Sequence, residues 1–213
     1  MQEFFHSFNP EVSGYLFMWI ILVMFVVMVA IAIERFYSIM VRSNVNAPRF
    51  MAEIRKLVIN GDFKKAMNLC KAARNKALPE VALAALAEAD KKEFVDYRAI
   101  QNAVDEASLE IIPRLTSRTG YLAMIANVAT LTGLLGTIFG LIKAFTAVSV
   151  AGAEAATNLA AGISIAMITT YFGLITAIPS IILYTVINTK TNRIIDDIDE
   201  HSVKLIHLLT GSK

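Results

Sequence analysis

One cysteine, one tryptophan and five prolines in 213 residues leave little for a disulfide-stapled or loop-rich fold to use. The lone Cys70 cannot close an internal disulfide or build a cysteine metal site, and its plain reading is a small buried apolar side chain. Charge is scarce as well: 18% of residues are charged, against 56% hydrophobic, and mean hydropathy is +0.56. A water-soluble domain of this length does not carry so much apolar surface, so the composition points to an integral membrane protein. No GxxxxGK[ST] loop occurs, which excludes a P-loop ATPase. No HExxH and no Cys/His cluster occurs, and His6, His201 and His207 are scattered along the chain. No stretch alternates apolar and polar residues as a half-buried strand would. The acids gather outside the apolar runs, the pattern of solvated helix faces. The expectation is an all-α protein, not an enzyme, with no cofactor, no metal and no nucleic-acid partner.

What is present is three long uncharged runs. Residues 12–33 contain no charge, and a bilayer core of ~30 Å needs about 20 helical residues. This run is rich in Ile, Val, Met and Phe, the composition of a lipid-facing span. Tyr15 and Trp19 fit an interfacial aromatic belt at its start. Residues 119–142 and 155–189 are the second and third uncharged runs. The spacing predicts spans over 15–33, 119–146 and 157–187. Between the first two lies a polar helical segment, 34–118. There Asp62 is a candidate N-cap, Pro79 opens a helix, and a helical pattern from about Asp96 runs up to Pro113, which kinks the chain or locally breaks the ladder. A connector, 147–156, joins the last two spans, and an amphipathic helix, 188–213, follows. Its Ile187, Ile194, Ile198, Leu205 and Leu209 recur at steps of seven and four. Residues 1–14 carry Glu3 and Glu11 and no basic residue, unlike a secretory signal. Phe4, Phe5 and Phe8 there suggest a short interfacial helix.

Charge sets the expected topology. Of the 20 Lys and Arg, 15 lie between Arg35 and Arg118 and four from Lys190 onward, with none in 1–14 or 147–156. The positive-inside rule then puts the N-terminus outside, and the 34–118 segment and the tail in the cytoplasm.

The second run holds Gly133, Gly136 and Gly140, with Lys143 near its outer end. Three glycines would weaken a helix in water by roughly 1 kcal/mol each, but in a membrane they let two helices approach closely. By spacing, Lys143 shares their face. Its plain role is to snorkel to the interface; the alternative is a cavity or a partner's carboxylate. Thr130, Thr132 and Thr137 on this run, and Ser164, Thr169, Thr170 and Thr176 on the third, supply hydroxyls that the first run all but lacks. Each could simply bond its own backbone. Together they indicate that spans two and three face protein or water. None of the spans carries a carboxylate in its core, so nothing within them titrates near neutral pH. If a proton-driven device is involved, another chain must carry the proton.

Residues 133–142, Gly-Leu-Leu-Gly-Thr-Ile-Phe-Gly-Leu-Ile, resemble the second-span signature of the ExbB/TolQ/MotA family of proton-channel motor subunits. Residues 162–179, ending Gly-Leu-Ile-Thr-Ala-Ile-Pro, resemble its third-span signature. The likeness extends over essentially the whole chain and is strongest to ExbB. It implies a homopentamer in a bacterial inner membrane, with spans two and three around a central pore. It also implies a single-span ExbD/TolR-like partner whose aspartate carries the proton, and force passed to a periplasm-spanning TonB/TolA-like protein. By position, the resemblance makes Thr137 and Thr170 the proton-path hydroxyls. Lys143, Thr130, Thr169 and Thr176 become pore or partner contacts. Gly133, Gly136, Gly140 and Gly173 become packing positions, and Pro179 a kink. Three positions depart from the family pattern: Ile165 stands where a glutamate is usual, Thr130 where proline is common, and Lys143 where a neutral residue is common. A TolQ-like or other stator subunit, a partner-independent ion channel and a passive membrane scaffold are the competing readings.

Overall fold

The computed structural model of the chain describes residues 14–43, 45–73, 76–91, 96–148 and 155–211. The expected interfacial helix within 1–14 and most of the 147–156 connector lie outside them. The described residues form helices and turns: α1 (Tyr15–Phe36), a π-helical turn (Tyr37–Arg42), α2 (Ala47–Ile59), α3 (Phe63–Ala72), α4 (Ala77–Asp90), α5 (Tyr97–Thr116), α6 (Thr119–Val148) and α7 (Ala155–Gly211). Three of these helical stretches are long and apolar enough to cross a membrane. The all-helical expectation with three candidate spans is borne out.

Two compact units make up the chain. The first holds described residues 14–34, 118–148 and 155–185. In α1 a narrow stripe of Met18, Ile21, Met28 and Ala32 is buried, while Leu16, Trp19, Ile20, Val23, Val26 and Ile33 are exposed. A helix apolar all round needs an apolar solvent on its open side, which a bilayer supplies. Arg118 takes φ 62° just ahead of α6, a left-handed conformation that costs a non-glycine residue roughly 1 kcal/mol. Its guanidinium donates to Glu34 Oε1 at 2.9 Å, where the uncharged part of α1 ends.

The second unit holds residues 35–117 and 186–211. In it α2 packs on α3, α3 on α4 and α4 on α5. Its core includes Ile54, Cys70, Val81, Leu86 and Ile100. Ile187, Ile194, Ile198, Leu205 and Leu209 on α7 are all buried, as their spacing requires. Burial pushes the Cys70 thiol up to about 12. Asn46 and Asp96 cap α2 and α5 by accepting from the Arg49 and Arg98 N–H groups.

Two local expectations need correction. Asp62 occupies the N-cap position of α3 without capping it; its carboxylate accepts from Lys65 Nζ at 2.8 Å instead. The helix expected up to Pro113 continues to Thr116, with only a local break in the ladder. Proline forfeits only its own bond to Leu109, four residues back, whose side chain is 77% exposed. The third run continues into the tail as its pattern suggests: α7 is one helix of 57 residues with Pro179 inside it.

Candidate functional site

The site grows from the close approach of α6 and α7. Leu122, Ala126, Ala129, Gly133, Gly136, Gly140 and Ala144 form the buried stripe of α6, at steps of three and four. Against it lie Ser180, Ala177, Gly173, Thr169, Ala166 and Gly162 of α7. The missing β-carbons are what allow this. A Cβ on Gly173 would sit 2.7 Å from the Ala129 carbonyl oxygen and 3.1 Å from Gly133 Cα. One on Gly136 would meet Thr169 Oγ1 at 2.6 Å, and one on Gly140 would meet Ala166 Cβ at 2.9 Å. Small residues substitute here for the hydrophobic drive that lipid removes.

Lys143 is not on this face. The stripe passes from Gly140 to Ala144, because Ala144 seats against Gly162, where an added Cβ would lie only 2.4 Å away. Lys143 falls at the edge and is exposed, with its Nζ 5.8 Å from the Phe139 ring centroid. Phe139 also meets Phe17 of α1 at 5.6 Å between centroids.

Close backbones let side-chain hydroxyls reach across. Ser180 Oγ, fully buried, donates to the Leu122 carbonyl at 2.7 Å. Thr170 Oγ1 lies 3.1 Å from the Gly133 carbonyl oxygen. Thr137 Oγ1 lies 3.1 Å from the same oxygen and 3.3 Å from that of Ala166. The Thr137 and Thr170 hydroxyls also hydrogen-bond each other. Both residues are half-buried. Two hydroxyl protons thus serve one hydroxyl–hydroxyl bond and one bond to carbonyl oxygen, in either of two directions. With Thr137 donating to Thr170, Thr170 donates to Gly133. With Thr170 donating to Thr137, Thr137 donates to Gly133 or Ala166. In either arrangement the pair offers lone pairs as acceptors, and it donates outward only by releasing its carbonyl bond.

The other hydroxyls are occupied differently. Thr169 is buried and donates to Ala166 at 2.8 Å; Thr176 is buried and donates to Phe172 at 3.1 Å. Thr130 is exposed and donates to Ala126 at 2.9 Å. Two polar residues went unremarked in the sequence reading. Ser180 was hidden behind Pro179, and its role depends on which carbonyl faces it. Asn127 is a single amide amid apolar neighbours, and the structure leaves it exposed on α6. Among the described residues no group of three His, Cys, Asp or Glu side chains could hold a metal ion.

Residues 73–200 match the model of the MotA/TolQ/ExbB proton channel family. A putative biopolymer transport protein ExbB homolog of Methanothermobacter thermautotrophicus is 28% identical over 180 residues, 84% of this chain and 60% of that protein. The Tol-Pal system protein TolQ of Haemophilus influenzae is 36% identical over 102 residues, 47% of this chain and 44% of that one. The biopolymer transport protein ExbB of Aquifex aeolicus is 35% identical over 91 residues, 43% of this chain and 60% of its own length. The chain thus spans between 44% and 60% of the length of these relatives. The family match covers α6, α7 as far as residue 200 and the polar segment from residue 73 onward, and this multi-pass membrane chain belongs to the MotA/TolQ/ExbB proton channel family.

Proposed function

We propose that the chain is the pore-forming subunit of a proton-driven motor of the ExbB–ExbD type in an inner membrane. Copies of α6 and α7 surround a central partner, in a homopentamer. The N-terminus lies on the outer side, and the 34–118 segment and the tail lie in the cytoplasm. The observation that carries the reading is the reversible hydroxyl pair of Thr137 and Thr170 on the shared Gly133 carbonyl. An ionised carboxylate alone in a low-dielectric span is strongly disfavoured. A hydroxyl pair that accepts from the neutral form as it stands, and donates to the charged form by releasing its carbonyl bond, stabilises both states of a carboxylate passing it. The carboxylate is supplied by a single-span partner, because the cores of these spans carry none. The motor passes force to a periplasm-spanning protein of the TonB or TolA kind. The names of the relatives, ExbB more often than TolQ, favour the TonB branch.

The test is coexpression with a candidate single-span partner, native mass spectrometry for subunit ratio, and proton flux in liposomes. Losing one hydrogen bond to a charged group amounts to about 1.5–3 kcal/mol, so Thr170→Val and Thr137→Val each lower partner-dependent flux roughly 10- to 150-fold with assembly intact. Undiminished flux in both variants, or equal flux from the chain without a partner, refutes the reading. The latter result would identify a self-contained channel.

A further inference from the structure

Between α1 and α6 runs an apolar groove of about 360 Å³. Val23, Val27 and Ile31 of α1 form one wall, and Tyr121, Met124 and Val128 of α6 form the other. Met24 also lines it and packs on Ala126, Ala129 and Ala177 behind. No wall residue is a glycine or alanine, the small residues that let one membrane helix approach another. The small residues of α6 belong instead to the buried stripe that meets α7. Val23, Val27, Tyr121, Met124 and Val128 are all exposed, so the groove opens outward. Walls of this bulk suit a flexible hydrocarbon chain better than a second helix.

The groove is one leaflet deep and has a polar end. Val23, Val27, Ile31 and Glu34 follow one another at steps of four, four and three on one face of α1. Val23 and Glu34 are eleven residues apart, about 16 Å along the axis, which is about half of a ~30 Å hydrocarbon core. On α6, Tyr121 stands at the same end. Its N–H donates to the Arg118 carbonyl at 3.1 Å, and the Arg118 guanidinium donates to Glu34 Oε1 at 2.9 Å. That end therefore offers both signs of charge and a phenol. The Glu34 and Arg118 side chains stay 43% and 61% exposed, within reach of a ligand. A guanidinium has five N–H donors and a carboxylate about four acceptor sites, so their mutual bond saturates neither. A Cβ added to Gly120 would meet nothing within 4 Å, which leaves room beside Arg118 and Tyr121 for a headgroup. Beyond the apolar end, Phe17 of α1 meets Phe139 of α6 at 5.6 Å between centroids.

We propose that this groove is a lipid site selective for phosphatidylethanolamine, with one acyl chain along Val27 and Val128 and the headgroup on the Glu34–Arg118 pair. The Arg118 guanidinium and the Tyr121 hydroxyl donate to the phosphate, and the primary ammonium donates to Glu34. Ionised groups on both sides make these charge-assisted hydrogen bonds, the stronger kind. Phosphatidylglycerol brings no cation to Glu34, and the trimethylammonium of phosphatidylcholine brings no N–H donor. The site requires only that α1 and α6 lie in a bilayer, and it is independent of the motor reading.

The test uses the full chain, purified in detergent and followed by native mass spectrometry during titration with dioleoyl phosphatidylethanolamine, phosphatidylglycerol or phosphatidylcholine. Phosphatidylethanolamine is retained about tenfold better than either other lipid, the effect of one charge-assisted hydrogen bond. Val27→Trp fills the groove and abolishes that preference. Val26→Trp, at an exposed position outside the groove, preserves it. Glu34→Gln leaves the groove intact and removes the ammonium's partner, so phosphatidylglycerol is retained as well as phosphatidylethanolamine. Equal retention of the three lipids by the parent chain overturns the proposal and makes the groove an ordinary lipid-facing surface. So does a preference that Val27→Trp and Val26→Trp alter alike, or one that Glu34→Gln and Arg118→Gln both leave unchanged. If the parent retains no lipid and Val27→Trp dissociates its oligomer, the proposal falls and the groove belongs to a second copy of the chain. None of these outcomes touches the motor reading, which partner-dependent flux decides.

Discussion

Gly173→Ala adds one methyl group where nothing can make room. Its Cβ would stand 2.7 Å from the Ala129 carbonyl oxygen and 3.1 Å from Gly133 Cα, against an ordinary separation of about 3.5–4.0 Å. Both neighbours are backbone, so no rotamer change relieves the contact, and α6 and α7 must part by roughly 0.5–1 Å. Thr170, less than one turn away, then loses its reach to the Gly133 carbonyl, now 3.1 Å distant. Overpacking costs about 1–3 kcal/mol, and the lost hydrogen bond adds about 0.5–1.5 kcal/mol. The assay is unfolding of the purified chain in mixed micelles by titration with dodecyl sulfate, followed through Trp19 fluorescence. Gly120→Ala is the control: nothing lies within 4 Å of its added Cβ, and alanine in a helix is favoured by up to about 1 kcal/mol. The expected order of stability is Gly120→Ala at or above the parent, with Gly173→Ala well below it. A Gly173→Ala chain within about 0.5 kcal/mol of the parent, the range of an inconsequential surface change, would refute the claim that backbone contact sets the helix spacing.

Ser180→Ala removes the buried hydroxyl that donates to Leu122 O at 2.7 Å, and should destabilise the helix pair by about 0.6–1.7 kcal/mol in the same titration. Cys70 is buried, with its thiol pushed up from the ordinary 9.0 to about 12, so maleimide should modify it only after unfolding. The same shift makes the unfolded chain release its thiol proton first. Stability from this group is therefore complete below pH 9.0 and declines as the pH rises toward about 12. Alkylation of the folded chain as fast as the unfolded one, measured by mass shift, would contradict that burial.

Period and composition made much of this architecture legible. A 3.6-residue repeat places Gly133, Gly136 and Gly140 on one side of a helix whatever the partner is, and the partner glycine at 173 sits in the other hydroxyl-bearing span. The resemblance put Thr137 and Thr170 on one proton path, but their meeting follows from how the two helices align, which spacing alone could not supply. What stayed illegible depends on partners across space. Lys143 fits the glycine face by spacing, yet the stripe turns to Ala144 because Gly162 lies opposite. Asp62 has the residue type of an N-cap, but Lys65 three positions on offers a charged donor. Ser180 depends on the facing Leu122 carbonyl, and Asn127 is a single residue with no period to announce it.

The hydroxyls of α6 and α7 also bear on how the chain enters its bilayer. Thr130, Thr132, Thr146, Thr169, Thr176 and Thr185 each hydrogen-bond a carbonyl three or four residues back on the same helix. Hydroxyls satisfied within their own helix need no waiting neighbour when the segment leaves the insertion machinery. The bonds that need a neighbour, from Thr137 to Ala166, Thr170 to Gly133 and Ser180 to Leu122, form when the inserted segments meet. Biogenesis then separates into lateral release, governed by each segment's own chemistry, and a later zippering of the glycine faces. Lesions at the glycines should spare the first step and stall the second, leaving inserted but unpaired helices for quality-control proteases.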